Sequence, residues 1–326
     1  MKSILPLVDR MLAGDRLALA KLITQIENGH PETMAVLARI RPRCGRGVRL
    51  GITGPPGAGK STLVDTLIGR LRAAGHTVGV IAVDPSSPFS GGALLGDRIR
   101  MQSHYLDESV FIRSLSSRGS HGGLARATRN VARLLDAFGK DFILIETVGV
   151  GQTELDVMSV ADTTIVVLVP EAGDTVQTMK AGLLEIADVF VVNKADRDGA
   201  MRIKTELEMM LQMRPPMAWT VPVLLTEAVS GKGVDELLQA ALKHAAVSRE
   251  RGGDDARAAA QREEFLQAIR EEVARRVERN LDQARLGELL QQVRGGELDP
   301  HTAAVEALAD EELIRLLLGS GSASGG

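Results

Sequence analysis

The spacing of apolar residues along the chain changes twice, which divides the sequence into three zones. The first zone ends near Ile40, and its apolar residues recur every three or four positions, a spacing that predicts helices. The second zone extends to about His244 and alternates short β-branched runs with helical patterns. The third zone begins at about Ala256 and returns to helical spacing. The pattern therefore predicts a helical start, a central α/β domain and a helical C-terminal region.

Seven short apolar runs in the central zone predict strands. They are VRLGIT, TVGVIAVD, SVFIRSL, DFILIET, TTIVVLVP, VFVVNKAD and VPVLLTE. Most are almost continuously apolar, as expected for strands that helices cover on both faces. Because the strands alternate with helical segments, the sequence predicts a doubly wound, mostly parallel sheet in an α/β domain.

Domain boundaries follow from the three zones. We expect an N-terminal helical segment at residues 1–45, which we call the prologue, and the α/β domain at 46–250. The stretch RGGDD marks a hinge after this domain. A C-terminal helical region at 251–318 and a flexible, Gly- and Ser-rich tail at 319–326 complete the chain.

Composition excludes several classes of function. The formal net charge is -3, so no basic field attracts nucleic acid or anionic lipid, and aromatic residues, at 2%, are too few for single-strand stacking platforms. The single cysteine, Cys44, excludes an internal disulfide and an all-Cys zinc site, and is either a reactive thiol or an incidental residue. The sequence shows neither a signal peptide nor an apolar run of about 20 residues. We therefore expect a cytoplasmic protein without nucleic-acid or membrane partners.

The stretch GPPGAGKST follows the first predicted strand and opens a predicted helix. It matches the phosphate-binding pattern G-x-x-x-x-G-K-[ST], whose glycines let backbone N–H groups converge on phosphate oxygens. Lys60 is expected to bridge the β- and γ-phosphates, and Ser61 to bind Mg²⁺. The sequence thus predicts a P-loop nucleoside triphosphatase. The expected nucleotide-binding residues of the loop are Gly54, Pro55, Pro56, Gly57, Ala58, Gly59, Lys60, Ser61 and Thr62.

The base is predicted by a second motif, NKAD, after the run VFVV. The carboxylate of Asp196 can accept hydrogen bonds from guanine N1–H and N2–H₂, donors that adenine does not present in this arrangement. Asn193 is expected to support the neighbouring loops, and the stem of Lys194 to cover the base. After the last strand, the N–H of Ala228 is placed to reach guanine O6, and Glu227 stands where many GTPases have Ser. The predicted ligands are GTP and GDP.

Carboxylates at two other strand ends could complete a metal site. Asp84 ends the run TVGVIAVD, and Glu146 lies near the end of DFILIET. Each alone could equally be hydrated, but two of them beside a phosphate loop favour roles at Mg²⁺. Asp97 is a third candidate for Mg²⁺ or for the attacking water, with a solvated helix acid as the alternative. The predicted metal residues are Ser61, Asp84, Asp97 and Glu146.

Hydrolysis needs a group that orients the attacking water, and here the sequence departs from Ras-type enzymes. Gly149 can offer its N–H to the γ-phosphate, but no Gln follows it directly. Gln152 lies three residues later and is the candidate substitute. An incomplete set of water-positioning groups predicts slow intrinsic hydrolysis that a partner accelerates.

Taken together, the motifs resemble the MeaB/ArgK family, GTPases associated with methylmalonyl-CoA mutase. The likeness rests on GITGPPGAGKST, AVDPSSPFSGGALLGDRIRM, RGSHGGLA, ETVGVGQTE, AGDTVQTMKAG and NKAD, which occur in this order between Gly51 and Asp196. The prologue stretch LAGDRLALAKLITQIENG also resembles the family, so the likeness covers most of the chain. The stretches with VDPSS and GGALLGD are far more specific than the phosphate loop.

The resemblance implies a homodimeric G-protein chaperone that gates adenosylcobalamin delivery to an acyl-CoA mutase, such as methylmalonyl-CoA mutase, and protects that mutase. A cobalamin adenosyltransferase is a further expected partner. Lys180 matches a lysine that swings toward the nucleotide when the partner is bound; its alternative is a solvated helix lysine. Mobile loops are implied at about 84–100, 146–158 and 170–180. The expected catalytic residues are Lys60, Asp97, Glu146, Gln152 and Lys180.

Two regions fit the resemblance less well. His121 stands where an apolar residue is expected, and either touches a substrate or partner or is solvated. The C-terminal helices match least clearly. Because this region makes the dimer in the family, the apolar stripe from Phe265 to Val277 is either a dimer seam or part of an intramolecular core.

Three other functions remain open at this point. A nickel metallochaperone GTPase tends to carry His-rich or Cys/His tracts, whereas this chain has six scattered His and one Cys. A transport-linked ATPase or kinase is disfavoured by NKAD, because that motif discriminates against adenine. A module that binds GTP without hydrolysing it is disfavoured by Gly149, Glu146 and Asp97.

Overall fold

The computed structural model describes residues 3–84, 102–116, 123–147, 155, 157–170, 181–215, 218–251, 262, 265–266, 269–270, 272–274, 276–278, 280–281 and 284–318. The chain forms two compact units, Met1–Ser248 and Arg249–Gly326. Across the described ranges, no helix combines the length and the apolar character that crossing a bilayer requires.

A seven-stranded sheet forms the centre of the first unit. Its strands are β1 Val48–Thr53, β2 Val78–Asp84, β3 Val110–Ser116, β4 Phe142–Thr147, β5 Thr163–Leu168, β6 Val189–Asn193 and β7 Val223–Thr226. Their order across the sheet is β3-β2-β4-β1-β5-β6-β7, and the pairs are parallel. The predicted α/β fold with a doubly wound parallel sheet is confirmed, since each of the seven apolar runs supplies a strand.

Helices precede, alternate with and follow the strands. They are α1 Leu5–Leu12, α2 Arg16–Glu27, α3 Thr33–Ile40, α4 Lys60–Ala73, α5 Gly123–Ala137, α6 Ala181–Ile186, α7 Ala200–Gln212, α8 Val234–Arg251, α9 Ala284–Arg294, α10 Pro300–Ala309 and α11 Glu311–Leu318.

Both faces of the sheet are covered, which explains why its strands are apolar at successive positions. Every residue of β4 and β5 is buried. On one face, side chains such as Ile52 pack with Leu67 of α4 and Leu237 of α8. The opposite face packs against α5 and the prologue at one end, and against α7 at the other. Burial of this kind is the main favourable contribution to the fold.

The prologue shares a hydrophobic core with the sheet. Fully buried side chains of its helices, including Val8 and Leu22, pack in one cluster with Ile143 of β4 and with residues of α5. Polar contacts reinforce the attachment at the outer strand β3. Arg113 of β3 pairs with Glu27, and the guanidinium of Arg16 donates to the Val110 carbonyl at 2.8 Å. The prologue therefore packs as part of the first unit.

Cys44 lies at the end of the prologue and is half-buried. Its thiol donates to the carbonyl oxygens of Ile40 at 3.4 Å and Arg133 at 3.5 Å. Burial raises the pKa of this thiol to about 11. Because the thiolate is the reactive form, Cys44 is unreactive near neutral pH.

The second unit contains a small core of its own. Leu289 of α9, Ala307 of α10 and Leu313 of α11 are its buried residues. Each of the last two helices begins with an aspartate whose carboxylate accepts two backbone N–H groups, which satisfies donors that the first turn leaves unpaired. Phe265 and Ile269, at the start of the predicted apolar stripe, are 64% and 43% exposed.

Candidate functional site

The carboxyl ends of β1, β4, β6 and β7 meet at one edge of the sheet, because the strands are parallel. The phosphate loop follows β1, and the NKAD motif begins at the last residue of β6. Glu146 is the penultimate residue of β4, and the loop of Glu227 and Ala228 follows β7. The fold thus brings the sequence-predicted residues of four separate segments to one place, as α/β ligand sites require.

Two glycines of the phosphate loop are required by close contacts. Gly54 has φ +145°, and a Cβ added there would lie 2.1 Å from the carbonyl oxygen of Val167 on β5. Gly59 has φ +84°, and a Cβ there would lie 2.4 Å from Nδ2 of Asn193. The loop therefore fits between β5 and the NKAD motif only because these positions carry no side chain.

Lys60 begins α4, and its side chain folds back along the phosphate loop. The Nζ atom donates hydrogen bonds to the carbonyl oxygens of Gly54 at 2.7 Å and Pro55 at 2.9 Å. The residue is only 6% exposed. These bonds hold a positive charge inside the loop, at the start of a helix whose dipole also favours an anion.

Ser61 and Glu146 meet beside this loop. The Ser61 hydroxyl donates to Oε1 of Glu146 at 2.6 Å, and both residues are buried. On the adjoining strands, the hydroxyl of Thr147 donates to that of Thr53 at 2.9 Å. A hydroxyl and a carboxylate are hard oxygen donors of the kind that Mg²⁺ prefers, so this pair fits the metal.

Asn193 joins the phosphate loop to the two base-side loops, by which we mean the NKAD segment 193–196 and the loop of Glu227 and Ala228 after β7. Its Nδ2 donates to the carbonyl oxygen of Ala58 at 2.9 Å. Its Oδ1 accepts the hydroxyl of Thr226 and the N–H of Ala228, each at 3.1 Å. The sequence assigns the same Ala228 N–H to guanine O6, but in this structure it donates to Asn193 instead.

A cleft of about 390 Å³ lies between the phosphate loop and the base-side loops. Its volume falls within the usual range of small-molecule sites. The residue that follows Asn193, Lys194, has φ +55°, an uncommon value for a residue with a side chain. The lining residues are Gly59, Thr62, Asn193, Lys194, Asp196, Arg197, Glu227, Ala228, Val229 and Ser230.

Three lining residues were not predicted from the sequence. Arg197, Val229 and Ser230 belong to loops whose neighbouring residues form recognisable motifs, but they are not part of a motif themselves. Adjacency to NKAD and to the loop after β7 was the available signal. Thr66 of α4 was also missed; its hydroxyl donates to the Ala228 carbonyl at 2.7 Å.

Several predicted site residues lie outside the described residues. They include the candidates for the attacking water and the γ-phosphate, the partner-linked lysine and most of the three implied mobile loops. Asp84 ends β2, so its backbone reaches the same edge of the sheet, but its side chain is not among those described. The predicted residues outside the described ranges are Asp97, His121, Gly149, Gln152 and Lys180.

The contact between Gly59 and Asn193 gives a prediction with a matched control. Gly59 and Gly75 both have left-handed backbones, with φ +84° and +85°, but a Cβ on Gly75 would have nothing within 4 Å. We expect Gly75→Ala to lower the free energy of unfolding by about 1–2 kcal/mol through backbone strain alone. Gly59→Ala should cost about 1–3 kcal/mol more, because it displaces a buried, hydrogen-bonded Asn193, and should weaken guanine-nucleotide binding.

Chemical denaturation and titration with GDP measure the two effects. Equal losses of stability in the two alanine variants would show that Gly59→Ala does not displace Asn193. Unchanged GDP affinity in Gly59→Ala would contradict the predicted link between the phosphate loop and the base-side loops.

Comparison with known proteins agrees with this geometry. The family model described as methylmalonyl Co-A mutase-associated GTPase MeaB matches residues 19–282. A protein of Pyrococcus horikoshii with a provisional GTPase name is 48% identical over 309 residues, 93% of this chain and 97% of that protein. The mouse protein named methylmalonic aciduria type A homolog, mitochondrial, is 38% identical over 253 residues, 71% of this chain and 61% of that protein.

A solved structure is also similar to this chain along most of its length. A crystal structure described as that of LAO/AO transport system kinase is 30% identical, with a TM-score of 0.69, and the match covers 94% of this chain and 96% of that one. The family match extends over most of the chain, and the first relative is similar along almost its whole length. The chain belongs to the MeaB family of methylmalonyl-CoA mutase-associated GTPases, and its activity is the hydrolysis of GTP on a P-loop α/β fold.

Proposed function

We propose that this GTPase is a chaperone that gates adenosylcobalamin delivery to an acyl-CoA mutase and protects that mutase. The observation that carries the proposal is the family match over residues 19–282, because the family is named for its association with methylmalonyl-CoA mutase. The relative named for methylmalonic aciduria supports the same partner class. A cobalamin adenosyltransferase is a further proposed partner, and the cytoplasm the proposed location.

In our proposal, the nucleotide lies along the cleft with its phosphates at the loop and its base at NKAD. The Lys60 ammonium would exchange one of its carbonyl contacts for a phosphate oxygen, because the phosphate oxygen carries negative charge whereas the carbonyl is neutral. Asp196 would accept guanine N1–H and N2–H₂, and guanine O6 would share the Ala228 N–H with Asn193. The described geometry supports this arrangement, because Asn193 holds the phosphate loop and the loop after β7 together.

A GTPase of this fold works with Mg²⁺, and Ser61 and Glu146 are the described residues that fit it. Bound Mg²⁺ would offset negative charge on the β- and γ-phosphates. We propose that the Ser61 oxygen would hold the metal, and that Glu146 would orient the Ser61 hydroxyl through the contact it makes at 2.6 Å. Asp84 and Asp97 are the further metal candidates.

We propose that intrinsic hydrolysis is slow and that the partner accelerates it. Glu146 is buried against Ser61, so it is committed to the metal side of the site. Orientation of the attacking water would then fall to Asp97, Gln152 or Lys180 once the partner is bound. Completion of such a site by a partner typically raises the rate by about 10³- to 10⁵-fold.

A homodimer is proposed through the C-terminal unit. Phe265 and Ile269 are four residues apart and exposed, which fits an apolar face that a second copy covers. The protein should elute as a dimer on size-exclusion chromatography, and a chain ending at Arg251 should elute as a monomer. A dimer that survives this truncation would place the interface elsewhere.

A transport-linked kinase is the alternative, because the related crystal structure is described as a transport system kinase. Such a kinase would use ATP. We favour GTP, because a carboxylate at Asp196 has two hydrogen-bond donors to accept from guanine and would be left unpaired beside adenine.

The first experiment measures GTP hydrolysis with and without each adenosylcobalamin-dependent acyl-CoA mutase from the same source. The Lys60→Ala chain serves as the control for contaminating GTPases. Stimulation of about ten-fold or more by one mutase would identify the client. Equal rates with and without every mutase would overturn the chaperone proposal and leave the GTPase.

A further inference from the structure

The loop after β7, residues 227–233, which we call the base loop, is closed by backbone hydrogen bonds. The N–H of Glu227 donates to the carbonyl oxygen of Lys232 at 2.9 Å, and the N–H of Gly231 donates to the carbonyl oxygen of Glu227 at 2.8 Å. Gly233 has φ +76°, and a Cβ there would lie 2.1 Å from the Leu225 carbonyl oxygen. The loop is therefore a tight, closed turn whose two ends lie at Glu227 and Lys232.

The side chains of these two end residues form an ion pair across the turn. Nζ of Lys232 donates to Oε1 of Glu227 at 2.8 Å, and Oγ of Ser230 donates to Oε2 at 3.1 Å. The Glu227 side chain is 21% exposed, against 78% for that of Lys232. The Glu227 carboxylate thus uses both of its oxygens to bind side chains of the same loop.

Electrostatics agree with this geometry. The hydrogen bond from Lys232 is the largest of the effects that lower the pKa of Glu227 below its usual value. The pKa of Lys232 is raised, chiefly by Glu227, and the nearby carboxylate of Asp196 contributes in the same direction. Lys232 therefore lies within electrostatic reach of the residue that we assign to the guanine base.

Ala228, between the two ends of the loop, is fixed from the other side. Its carbonyl oxygen accepts the hydroxyl of Thr66 on α4 at 2.7 Å, and its N–H donates to Asn193. Ala228 is 4% exposed. Any movement of the base loop would consequently move Ala228 and its neighbours, which line the cleft on the side predicted for the base.

We propose that Glu227 and Lys232 act as a clamp that holds the base loop in the position required for guanine binding. They are positioning residues, because neither is required to touch the nucleotide for this role. The inference rests on the proposed assignment of the cleft to the base. The clamp also accounts for Glu227 at the position where many GTPases have Ser. The longer side chain of Glu227 spans the loop and reaches both Ser230 and Lys232.

The test is Lys232→Met, which removes the charge and keeps the apolar stem. We expect release of GDP labelled with a fluorescent methylanthraniloyl group to become about two- to five-fold faster, the range that exposed ion pairs support. The KM for GTP should rise by the same factor while kcat stays unchanged, because the clamp acts on the base and not on the reacting phosphate. In about 1 M NaCl the difference from the wild type should nearly vanish, since the screening length falls to about 3 Å.

Two controls separate a clamp from general loss of stability. Lys204→Met removes the surface pair of Lys204 with Glu208 on α7, at 3.7 Å, and should leave GDP release unchanged. Glu227→Gln should release GDP faster, and the double variant with Lys232→Met should be no worse than the poorer single variant. Such non-additivity indicates that the two side chains act as one unit.

Failure of the cleft assignment and failure of the clamp give different results. If the wild-type chain fails to bind GDP, the assignment of the cleft falls, and this inference with it. If the wild type binds GDP but the two single variants release it at the wild-type rate, the clamp alone is overturned. Additive effects in the double variant, or a loss of kcat in Lys232→Met, would equally reject it.

Discussion

Lys60→Ala should abolish tight binding of GTP and GDP, and hydrolysis with it. The Lys60 ammonium is buried in the phosphate loop, where the Gly54 and Pro55 carbonyl oxygens hold it. Without it, the phosphates would face these carbonyls and lose a charge-assisted partner. Loss of a buried partner of this kind costs about 3–5 kcal/mol, or roughly 10²- to 10⁴-fold in the dissociation constant. Isothermal titration with GDP measures the change directly.

Lys140→Met is the matched control for this prediction. Lys140 is also a buried lysine whose Nζ donates to a carbonyl, that of Ser109 at 2.7 Å, and burial lowers its pKa to about 8. It lies before β4, at the edge of the sheet opposite the cleft, so its loss should leave GDP affinity unchanged. GDP affinity within about ten-fold of the wild type in Lys60→Ala would show that the phosphate loop is assigned incorrectly.

Asp196→Asn should exchange the preference for guanine for a preference for xanthine. The amide N–H₂ of Asn is a donor, and it would face the N2–H₂ of guanine, which is also a donor. The C2 oxygen of xanthine is an acceptor and can accept a hydrogen bond from this amide. Discrimination by a site built for hydrogen bonding reaches about 10⁴-fold, so we expect a loss of GDP affinity approaching that factor and a gain for xanthosine diphosphate. Competition between the two diphosphates for the same labelled nucleotide measures the ratio.

Asp198→Asn controls for the loss of a negative charge near the cleft. Asp198 lies two residues farther along and is exposed, but it does not line the cleft. Its substitution should leave the preference for guanine intact. If Asp196→Asn retained wild-type GDP affinity, the base would be bound elsewhere.

The sheet could be predicted from the sequence because its strands are buried on both faces. VRLGIT coincides with β1, and FILIET, within the predicted run DFILIET, coincides with β4. Strand ends were harder to predict where an apolar run continues into a motif: VFVVNKAD forms strand only from Val189 to Asn193, because Lys194 turns into a left-handed conformation.

Partners of the helical faces could not be predicted in the same way. Helical spacing at Leu5, Val8 and Leu12 indicates an amphipathic helix but carries no information on the surface that it covers. In the structure α1 packs on α2 and α3, and these helices in turn share a core with α5 and with β2, β3 and β4, which follow much later in the chain. Contacts between elements distant in sequence depend on the whole topology and not on a local period.

In the candidate site, too, local motifs could be predicted from the sequence, whereas contacts between distant segments could not. The phosphate loop and NKAD are local patterns and were recognised as such, and the parallel sheet requires their segments to meet at one edge. The pairing of Ser61 with Glu146 joins residues 85 positions apart, and only the register of β1 against β4 determines it. The ion pair between Glu227 and Lys232 forms only because the turn between them brings the two side chains together. The five-residue spacing in the sequence does not predict such a turn.

The attachment of the prologue has a consequence for synthesis on the ribosome. Side chains such as Val8 and Leu22 emerge before the sheet, yet they share their core with Ile143 and Ile145 of β4. Roughly 100 residues separate the prologue from that strand, which corresponds to on the order of 5–20 s of translation. During that interval the prologue helices lack the part of their core that β4 supplies. The prologue is therefore made well before its core is complete, and its exposure to chaperones or proteases is determined by the rate of elongation.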